Sequence, residues 1–390
     1  MGQFVRVGFV GCEGIARTHL DYIGQIQGAR LAAICDVDAD ALCAAEARTG
    51  ARGFPSHQAM FRSGEIDAVV ICAPHPFHAP IAIDAFAAGL HVLCEKPLAV
   101  HAKEARGILE AAQASPGSVF GVMFQNRTFP ILRKAKELVD AGELGPMLRV
   151  TCIDTDWYRT QLYYDSGAWR GTWKGEGGGV LLNQCPHRLD TLVWLCGMPK
   201  RVFAFCHFGA RHDIEVEDEV SAVMQFENGA LGQFAASTGE APGTRHFEIA
   251  FDRGALSIDD KKSLRLRLNR QSTIEHIQTA ESRFEMPECW EIDIPAPPQP
   301  SLPSPHFPLM QNFVDAIRKG ERLIAPGAEA IQELALGNAI LLSAHLGRPV
   351  DLPVDEDAVE AMLEECKARS TFKKRRVVRS DGSDLATSFH

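Results

Sequence analysis

The segment VGFVGCEGIARTHL, residues 7–20, constrains the fold of this chain more than any other stretch. A continuous apolar run from Val5 to Val10 has the length and composition of a buried β-strand. Gly11 follows this run directly, and Ala16 opens a segment that is typical of a helix. A buried strand that turns at a glycine into a helix is the first unit of a parallel α/β sheet.

The turn matches, with one exception, the glycine pattern of dinucleotide-binding loops, G-x-G-x-x-G/A. Gly11 and Ala16 fill the outer positions, but Glu13 stands where the pattern has its second glycine. A carboxylate about 4 Å from a pyrophosphate charge would oppose binding by about 4 kcal/mol. Because Gly14 can adopt unusual dihedrals, we expect the loop to turn Glu13 outward and to bind the cofactor more weakly than a loop with glycine there.

Three further apolar runs extend the strand and helix alternation, and they lie at residues 29–36, 66–74 and 91–97. Short apolar strands separated by helices predict a doubly wound parallel sheet covered on both faces. Asp36 ends the second strand, where a carboxylate can bind ribose hydroxyls. It would favour NAD over NADP, because it repels a 2′-phosphate. The alternative is that Asp36 only caps a turn or helix.

The pattern changes after about residue 125, where strands follow one another without long helices. Asn228-Gly229 and the DRG segment at 252–254 predict hairpins, so the second sheet should be largely antiparallel. The proline-rich segment 295–305 predicts a loop, and helices are expected at Leu309–Lys319 and Glu329–Leu346. We therefore expect domains at 1–125 and 126–360 and a basic tail at 361–390, which is either solvated or an anion-binding patch.

Charge and composition exclude several classes of function. The formal net charge of −10 disfavours nucleic acids and anionic membranes as partners. The cysteines are scattered without a C-x-x-C pair, which predicts reduced thiols and no metal site. Since no apolar run is long enough to span a bilayer, we expect a cytoplasmic protein without membrane contact.

Two polar sets are candidates for chemistry. Lys96 follows the fourth strand at the carboxyl edge of the sheet, where it can donate to a substrate oxygen or merely pair with Glu95. His187 falls in the first turn of a helix predicted from Pro186, where the helix dipole favours a neutral imidazole that can accept a proton. Asn183 precedes it by one helical turn and can orient His187 or a substrate hydroxyl.

The aromatic segment 156–173 lies between these two sets. Its tryptophan and tyrosine rings can stack on the apolar faces of sugar rings, and Arg159 and Arg170 can donate to hydroxyls. The alternative is an aromatic cluster in the core or at an interface.

Together these stretches resemble the Gfo/Idh/MocA oxidoreductase family over nearly the whole chain. The resemblance rests on the first strand and turn and on CDVD, APHPFHAPIA, HVLCEKPLA, GGGVLLNQCPH, QNFVDAIRKG and SAHLGRPVDLP. It implies a Rossmann domain followed by an α/β domain whose open, mainly antiparallel sheet often mediates oligomers, so a homodimer or homotetramer is expected. It also implies a nicotinamide cofactor and a sugar or cyclitol hydroxyl as the reacting group.

The resemblance assigns roles to three residues. Lys96 matches the substrate-positioning lysine, commonly followed by a cis-proline bond, and His187 matches the catalytic histidine. Asn183 falls where many members have aspartate. Because an amide cannot stabilise an imidazolium electrostatically, His187 should be less basic than in those relatives.

The expected site residues fall into three sets. The catalytic set is Lys96, His187 and Asn183. The cofactor-binding set is Gly11, Cys12, Glu13, Gly14, Ile15, Asp36, Ala73, Pro74, His75, His78, Glu95 and Lys96. The substrate-binding set is Lys96, Arg127, Tyr158, Arg159, Trp169, Arg170, Asn183 and His187.

These expectations add up to an NAD-dependent dehydrogenase that oxidises a ring hydroxyl of a small carbohydrate or cyclitol. Three alternatives stay open. The cofactor could remain bound while two sugars exchange a hydride, transient oxidation could serve epimerisation or elimination, or a non-catalytic protein could sense a sugar or nucleotide.

Overall fold

The computed structural model describes residues 4–167, 169–259, 263–297 and 301–370, which form two β-sheets flanked by helices. All eleven cysteines are unpaired thiols, and all but Cys43 and Cys289 are buried or partly buried. Among the described residues, no helix is both long enough and apolar enough to cross a membrane.

The N-terminal sheet has six parallel strands in the order β3-β2-β1-β4-β5-β6. The strands are β1 (Val5–Val10), β2 (Ala29–Cys35), β3 (Arg52–Phe54), β4 (Ala68–Ile71), β5 (His91–Cys94) and β6 (Phe120–Val122). This order reverses at β1, the point at which doubly wound sheets bind dinucleotides. The predicted parallel sheet is therefore confirmed.

Five helices connect these strands, and most present small or aliphatic residues to the sheet. They are α1 (Ile15–Tyr22), α2 (Ala39–Thr49), α3 (His57–Arg62), α4 (His78–Ala87) and α5 (Ala102–Gln113). The Asp38 side chain caps α2 by accepting from the N–H groups of Asp40 and Ala41. Strands β1 and β4 are almost wholly buried, as expected for strands covered on both faces.

The C-terminal sheet has nine strands in the order β14-β13-β12-β11-β7-β10-β9-β8-β15. The strands are β7 (Met147–Asp154), β8 (Arg201–Phe208), β9 (Glu217–Gln225), β10 (Leu231–Ser237), β11 (Arg245–Phe251), β12 (Gly254–Asp259), β13 (Ser263–Asn269), β14 (Cys289–Pro295) and β15 (Val350–Asp351). Only β7 and β10 run parallel among its pairs in the described residues. Both predicted hairpins, β9–β10 and β11–β12, are confirmed.

The helices of the second half are α6 (Pro130–Asp140), α7 (Gln161–Asp165), α8 (Val180–Asn183), α9 (Pro186–Cys196), α10 (Thr273–Thr279), α11 (Phe307–Lys319), α12 (Ala330–Leu346) and α13 (Glu356–Arg369). Residue 361, where the sequence predicts that the tail begins, lies inside α13. Buried Val359, Met362 and Leu363 hold this helix in the fold. Residues 371–390 of the predicted basic tail lie outside the described residues.

Helix α11 returns to the N-terminal half, although the predicted boundary assigns it to the second domain. Its Phe307 ring packs 5.7 Å from Tyr22 at the end of α1, and Gln311 exchanges hydrogen bonds with the main chain of Gln27. Ion pairs from Lys103 on α5 to Asp357 and Glu360 join α5 to α13. These contacts join α11 and α13 of the second half to the α1 region and α5 of the N-terminal half.

Candidate active site at the domain junction

The loop after β1 has the shape of a phosphate cradle. Gly11 has φ = +90°, and a Cβ there would lie 2.7 Å from the carbonyl oxygen of Cys72. Gly14 has φ = +57° and precedes α1, whose N-terminus has no side-chain cap. Because uncapped N–H groups in a helix's first turn attract anions, Gly14 and Ile15 fit the pyrophosphate of a dinucleotide. The N–H groups of Gly11 and Cys12 donate to Cys35 and Asp36 and shape the loop.

The side chain of Glu13 points away from this cradle. It is 64% exposed and forms an ion pair of 3.0 Å with Arg17, one turn along α1. This is the outward orientation that the sequence predicts from Gly14. The effect of Glu13 on cofactor affinity stays a prediction.

Asp36 lies beside the same loop and closes it from β2. Its Oδ2 accepts the main-chain N–H of Cys12 at 2.8 Å, and its Oδ1 accepts that of Asp38 at 3.0 Å. Asp36 thus makes the turn contacts that we expected if its role were only to cap a turn. Each oxygen keeps a second lone pair that can accept from a ribose hydroxyl, so the two roles are compatible.

The residues after β4 form a histidine pair at the carboxyl end of the sheet. The two ring nitrogens of His78 lie 2.7 Å from the carbonyl oxygens of Ala73 and Pro97, so His78 ties the end of β4 to the chain after β5. His75 is buried 5.9 Å from this ring. Burial, together with the charges of His78 and Lys96, lowers the pKa of His75 well below its usual range, so this ring is neutral.

Lys96 follows β5, and its peptide bond to Pro97 is cis, as the family resemblance implies. Its neighbour Glu95 does not pair with the Lys96 ammonium. Instead, Glu95 Oε1 lies 2.7 Å from His19 Nε2, and His19 Nδ1 lies 2.7 Å from the Tyr22 hydroxyl. Burial raises the pKa of Glu95, but the hydrogen bond and charge of His19 outweigh it and the net shift is downward.

The ammonium of Lys96 crosses to the second half of the chain. Lys96 Nζ donates to the main-chain carbonyl oxygen of Asn183 at 2.8 Å, at the end of α8. Burial lowers the pKa of Lys96, which Glu95 and Glu333 oppose through their charge. The ammonium is therefore positioned by the helix that leads directly into α9 and His187.

The Asn183 side chain contacts two residues that the sequence does not suggest as its partners. Its amide donates to a carboxylate oxygen of Glu176 and, at 3.3 Å, to the Tyr163 hydroxyl. Glu176 is buried, and its other oxygen accepts the N–H of Gly171 at 2.5 Å. Asn183 therefore orients the Glu176 and Tyr163 side chains, while its own main-chain oxygen orients Lys96.

His187 lies in the first turn of α9, as predicted, and is buried. Its Nε2 lies 3.0 Å from Nε2 of Gln125, which follows β6 in the N-terminal half. An amide NH₂ donates, so His187 Nε2 is the acceptor and carries a lone pair. Gln125 Oε1 is buried without a hydrogen-bond partner among the described residues. The imidazole is thus held across the same junction as Lys96.

The aromatic segment brings three of its predicted residues together. Trp169 packs 5.8 Å from His75, and the Arg170 guanidinium lies 4.4 Å from the Trp169 ring. Arg159 lies 5.1 Å from the Tyr163 ring. Tyr158, by contrast, is 51% exposed, and its carbonyl oxygen accepts from Arg159.

Arg127 does not fit the substrate-binding role that the sequence suggests. Its guanidinium is 4% exposed and makes two hydrogen bonds to Asp190, at 2.6 and 3.0 Å, and one to Glu329. Trp194 covers it at 5.4 Å. Because Nε and both terminal nitrogens of the guanidinium donate to protein carboxylates, Arg127 joins the segment after β6 to α9 and is not part of the proposed substrate site.

Sequence reasoning missed three residues that organise the site, His19, Gln125 and Glu176, and it covered Tyr163 only as part of the aromatic segment 156–173. His19 and Tyr163 lie in helices α1 and α7, Gln125 lies in a short turn after β6, and Glu176 lies in an irregular segment. No spacing pattern links them to the residues that they contact. The one available signal was polarity, because Gln125 follows the apolar run of residues 120–124.

Two family models match the chain. Residues 5–123 match an oxidoreductase family with an NAD-binding Rossmann fold, and residues 132–257 match the GFO/IDH/MocA C-terminal domain. Among curated relatives, inositol 2-dehydrogenase 3 of Saccharopolyspora erythraea is 33% identical over 192 residues, which is 49% of this chain and 53% of that protein. Inositol 2-dehydrogenase of Corynebacterium glutamicum is 26% identical over 84% of this chain and 90% of that protein.

A solved structure extends the similarity over most of the chain. The WlbA dehydrogenase from Bordetella pertussis, in complex with NADH and UDP-GlcNAcA, is 31% identical with a TM-score of 0.74. The alignment covers 90% of this chain and 100% of that chain.

Proposed function

This chain belongs to the Gfo/Idh/MocA family of oxidoreductases, and we propose that it oxidises a ring hydroxyl of a carbohydrate or cyclitol, or catalyses the reverse reduction. Its N-terminal half is an NAD-binding Rossmann domain. The observation that carries the proposal is the hydrogen bond of 2.8 Å from Lys96 to Asn183, which brings the lysine to the end of α8, just before the first turn of α9 that holds His187.

The cradle residues and Asp36 would hold NAD, whose nicotinamide supplies the acceptor for a hydride when it is bound. The remaining chemistry belongs to this chain. His187 accepts the proton of the reacting hydroxyl at Nε2 after that hydroxyl has displaced the Gln125 amide N–H from the Nε2 lone pair. Lys96 donates to the oxygen as negative charge develops on it. Before the substrate binds, the Gln125 amide holds the ring in this orientation.

Two relatives support the substrate class in broad terms. The inositol 2-dehydrogenases are named for a cyclitol, and the WlbA structure contains a sugar derivative, UDP-GlcNAcA. A direct test is the absorbance of reduced nicotinamide while a panel of sugars and cyclitols is added to the purified protein. Growth of the band that requires added NAD supports the dehydrogenase. A change without added NAD means retained cofactor, and no response across the panel favours a sensing role.

We propose that the exposed face of the C-terminal sheet joins copies of this chain into a homodimer or homotetramer. Phe205, Val223 and Leu231 on three adjacent strands are 67%, 53% and 61% exposed. Exposed apolar side chains grouped on a sheet are typical of an interface. Sedimentation should give a mass above that of one chain, and Val223→Asp should shift it toward the monomer.

A further inference from the structure

Two arginines beside the proposed active site have aromatic neighbours but no acidic partner. The Arg170 guanidinium lies 4.4 Å from the Trp169 ring and 4.6 Å from the Tyr163 ring, and it donates to the Tyr163 hydroxyl at 2.8 Å. Arg159 lies 5.1 Å from the same tyrosine ring. Rings on either side hold the two guanidiniums in place and leave donor groups for another molecule.

The hydrogen bonding of Arg159 is incomplete. One terminal nitrogen donates to the carbonyl oxygen of Tyr158 at 2.9 Å, while the buried Nε–H has no partner among the described residues. A buried donor on a charged group costs free energy when it is unpaired. The Arg159 Nε–H group is therefore available to donate a hydrogen bond. Arg159 lies beside Tyr163, which contacts Asn183.

Neighbouring arginines show the opposite pattern. Arg188 pairs with Asp154 at 2.9 Å, and Arg245 pairs with Asp156 at 2.7 Å. Neither Arg159 nor Arg170 forms an ion pair with any carboxylate in the described ranges. Among these four neighbouring arginines, only the two that border the site have no acidic partner in the described residues.

The charges of Arg159 and Arg170 affect the pKa of Lys96, the proposed catalytic lysine. Burial lowers the pKa of Lys96, and the charges of Arg159 and Arg170 lower it further. Three cationic side chains therefore act on one region. The charges of Glu95 and Glu333 oppose this effect at Lys96, but the described residues supply no carboxylate to Arg159 or Arg170. Like charges gathered in a partly buried region repel one another unless an anion from outside the chain joins them.

We propose that the substrate oxidised at this site carries a negatively charged group, a carboxylate or a phosphate, and that Arg159 and Arg170 bind it while Lys96 contacts the reacting oxygen. The inference rests on the proposed function and narrows its substrate class. Guanidinium groups suit both anions, because their planar donors match pairs of oxygens. A neutral sugar would leave Arg159 and Arg170 without an anionic partner.

The first experiment measures binding and does not depend on turnover. Calorimetry on the protein saturated with NADH compares hexoses, the corresponding hexuronates and the hexose 6-phosphates. We expect one anionic series to bind at least about tenfold more tightly than the neutral sugars, as hydrogen bonds to a charged group suggest. The preferred series identifies the anion as carboxylate or phosphate. Equal affinity for all three series, or binding of none, would overturn the inference.

Variants locate the effect. Arg170→Gln and Arg159→Gln should each remove most of the preference for the anion, because a charge-assisted contact is lost, and should weaken binding of the anionic sugar more than binding of the neutral one. Arg133→Gln, on the exposed surface of α6, is the matched control and should change neither. If the arginine variants weaken NADH binding and leave the sugar preference intact, the guanidiniums bind cofactor phosphates and the proposal is wrong.

Turnover separates this inference from the proposed function. Reduction of NAD by neutral sugars alone, with no advantage for anions, would contradict the inference and leave the dehydrogenase proposal standing. Selective binding of anions without any NAD reduction would support the inference and contradict the proposed chemistry.

Discussion

Lys96 Nζ lies 2.8 Å from the main-chain carbonyl oxygen of Asn183, so the last residue of α8 positions an ammonium that β5 supplies. The contact uses the main chain of Asn183, which makes it independent of whether residue 183 is asparagine or aspartate. The Asn183 side chain instead holds Glu176 and Tyr163. The junction between the two halves of the chain is therefore also the proposed reaction site.

Gln125 should act as a positioning residue for His187. Gln125→Leu removes the donor at 3.0 Å from His187 Nε2, so we expect kcat to fall by about tenfold or more while KM changes little. Gln125→Glu should shift the pH profile of kcat toward higher pH, since a carboxylate beside the ring favours imidazolium. A purely structural role would lower kcat without moving the pH profile of the glutamate variant.

Arg127 should matter for stability. Arg127→Met leaves Asp190 buried without its cation, and breaking such a pair typically costs about 3–5 kcal/mol. Urea unfolding measures this loss in the free energy of unfolding. The double variant Arg127→Met with Asp190→Asn should recover part of it, because the uncompensated charge is gone. Equal stability of wild type and Arg127→Met would contradict the role given to this ion pair.

The fold could be predicted from the sequence because buried strands and hairpin turns leave local signals. Val5–Val10 is a strand with the predicted bounds, and Asn228-Gly229 forms the expected hairpin. The site was only partly predictable. Lys96 follows the end of a recognisable strand, and His187 lies in the first turn of a recognisable helix. The contacts of Arg127 and His187, in contrast, are with side chains far away in the sequence. Long-range pairing of this kind has no periodicity to reveal it.

Glu13 and Arg17 should affect cofactor binding as a pair. Glu13→Gly should raise NAD affinity, but by less than about tenfold, because the carboxylate is exposed and already paired with Arg17. Arg17→Gln should weaken NAD binding in the wild-type protein, because it leaves the Glu13 carboxylate without its cation. The same substitution should have a smaller effect on NAD affinity in the Glu13→Gln variant. Calorimetric titration with NAD measures both. Unchanged affinity in Glu13→Gly would show that residue 13 has no influence on the cofactor.

Glu217 should make stability depend on pH. It is buried and accepts the N–H groups of Gly179 and Leu181 at the start of α8, and burial raises the pKa of its carboxyl from 4.5 to about 7. Between pH 4.5 and 7, the Glu217 carboxyl is therefore protonated in the folded state and ionised in the unfolded state. The contribution of Glu217 to the free energy of unfolding is therefore fully present below pH 4.5 and is lost as the pH rises through 7.

Glu217→Gln remains neutral and can accept the same two N–H groups. Relative to this variant, wild type should lose up to about 3 kcal/mol of unfolding free energy between pH 4.5 and 8. Urea unfolding at a series of pH values gives the difference. Glu227→Gln, in the exposed β9–β10 turn, is the control and should show a constant difference. A constant difference for Glu217→Gln as well would contradict the assignment.

The most direct test of the central claim is the single-turnover rate of NAD reduction in Lys96→Met, His187→Asn and the double variant, with Lys134→Met on the surface of α6 as control. If both groups act on one hydroxyl, each single variant should lose at least about a hundredfold. The double variant should lose little more than the slower single variant, because residues that act as a unit are not additive. Full activity in either single variant, or losses that simply multiply, would contradict convergence of Lys96 and His187 on one reacting carbon.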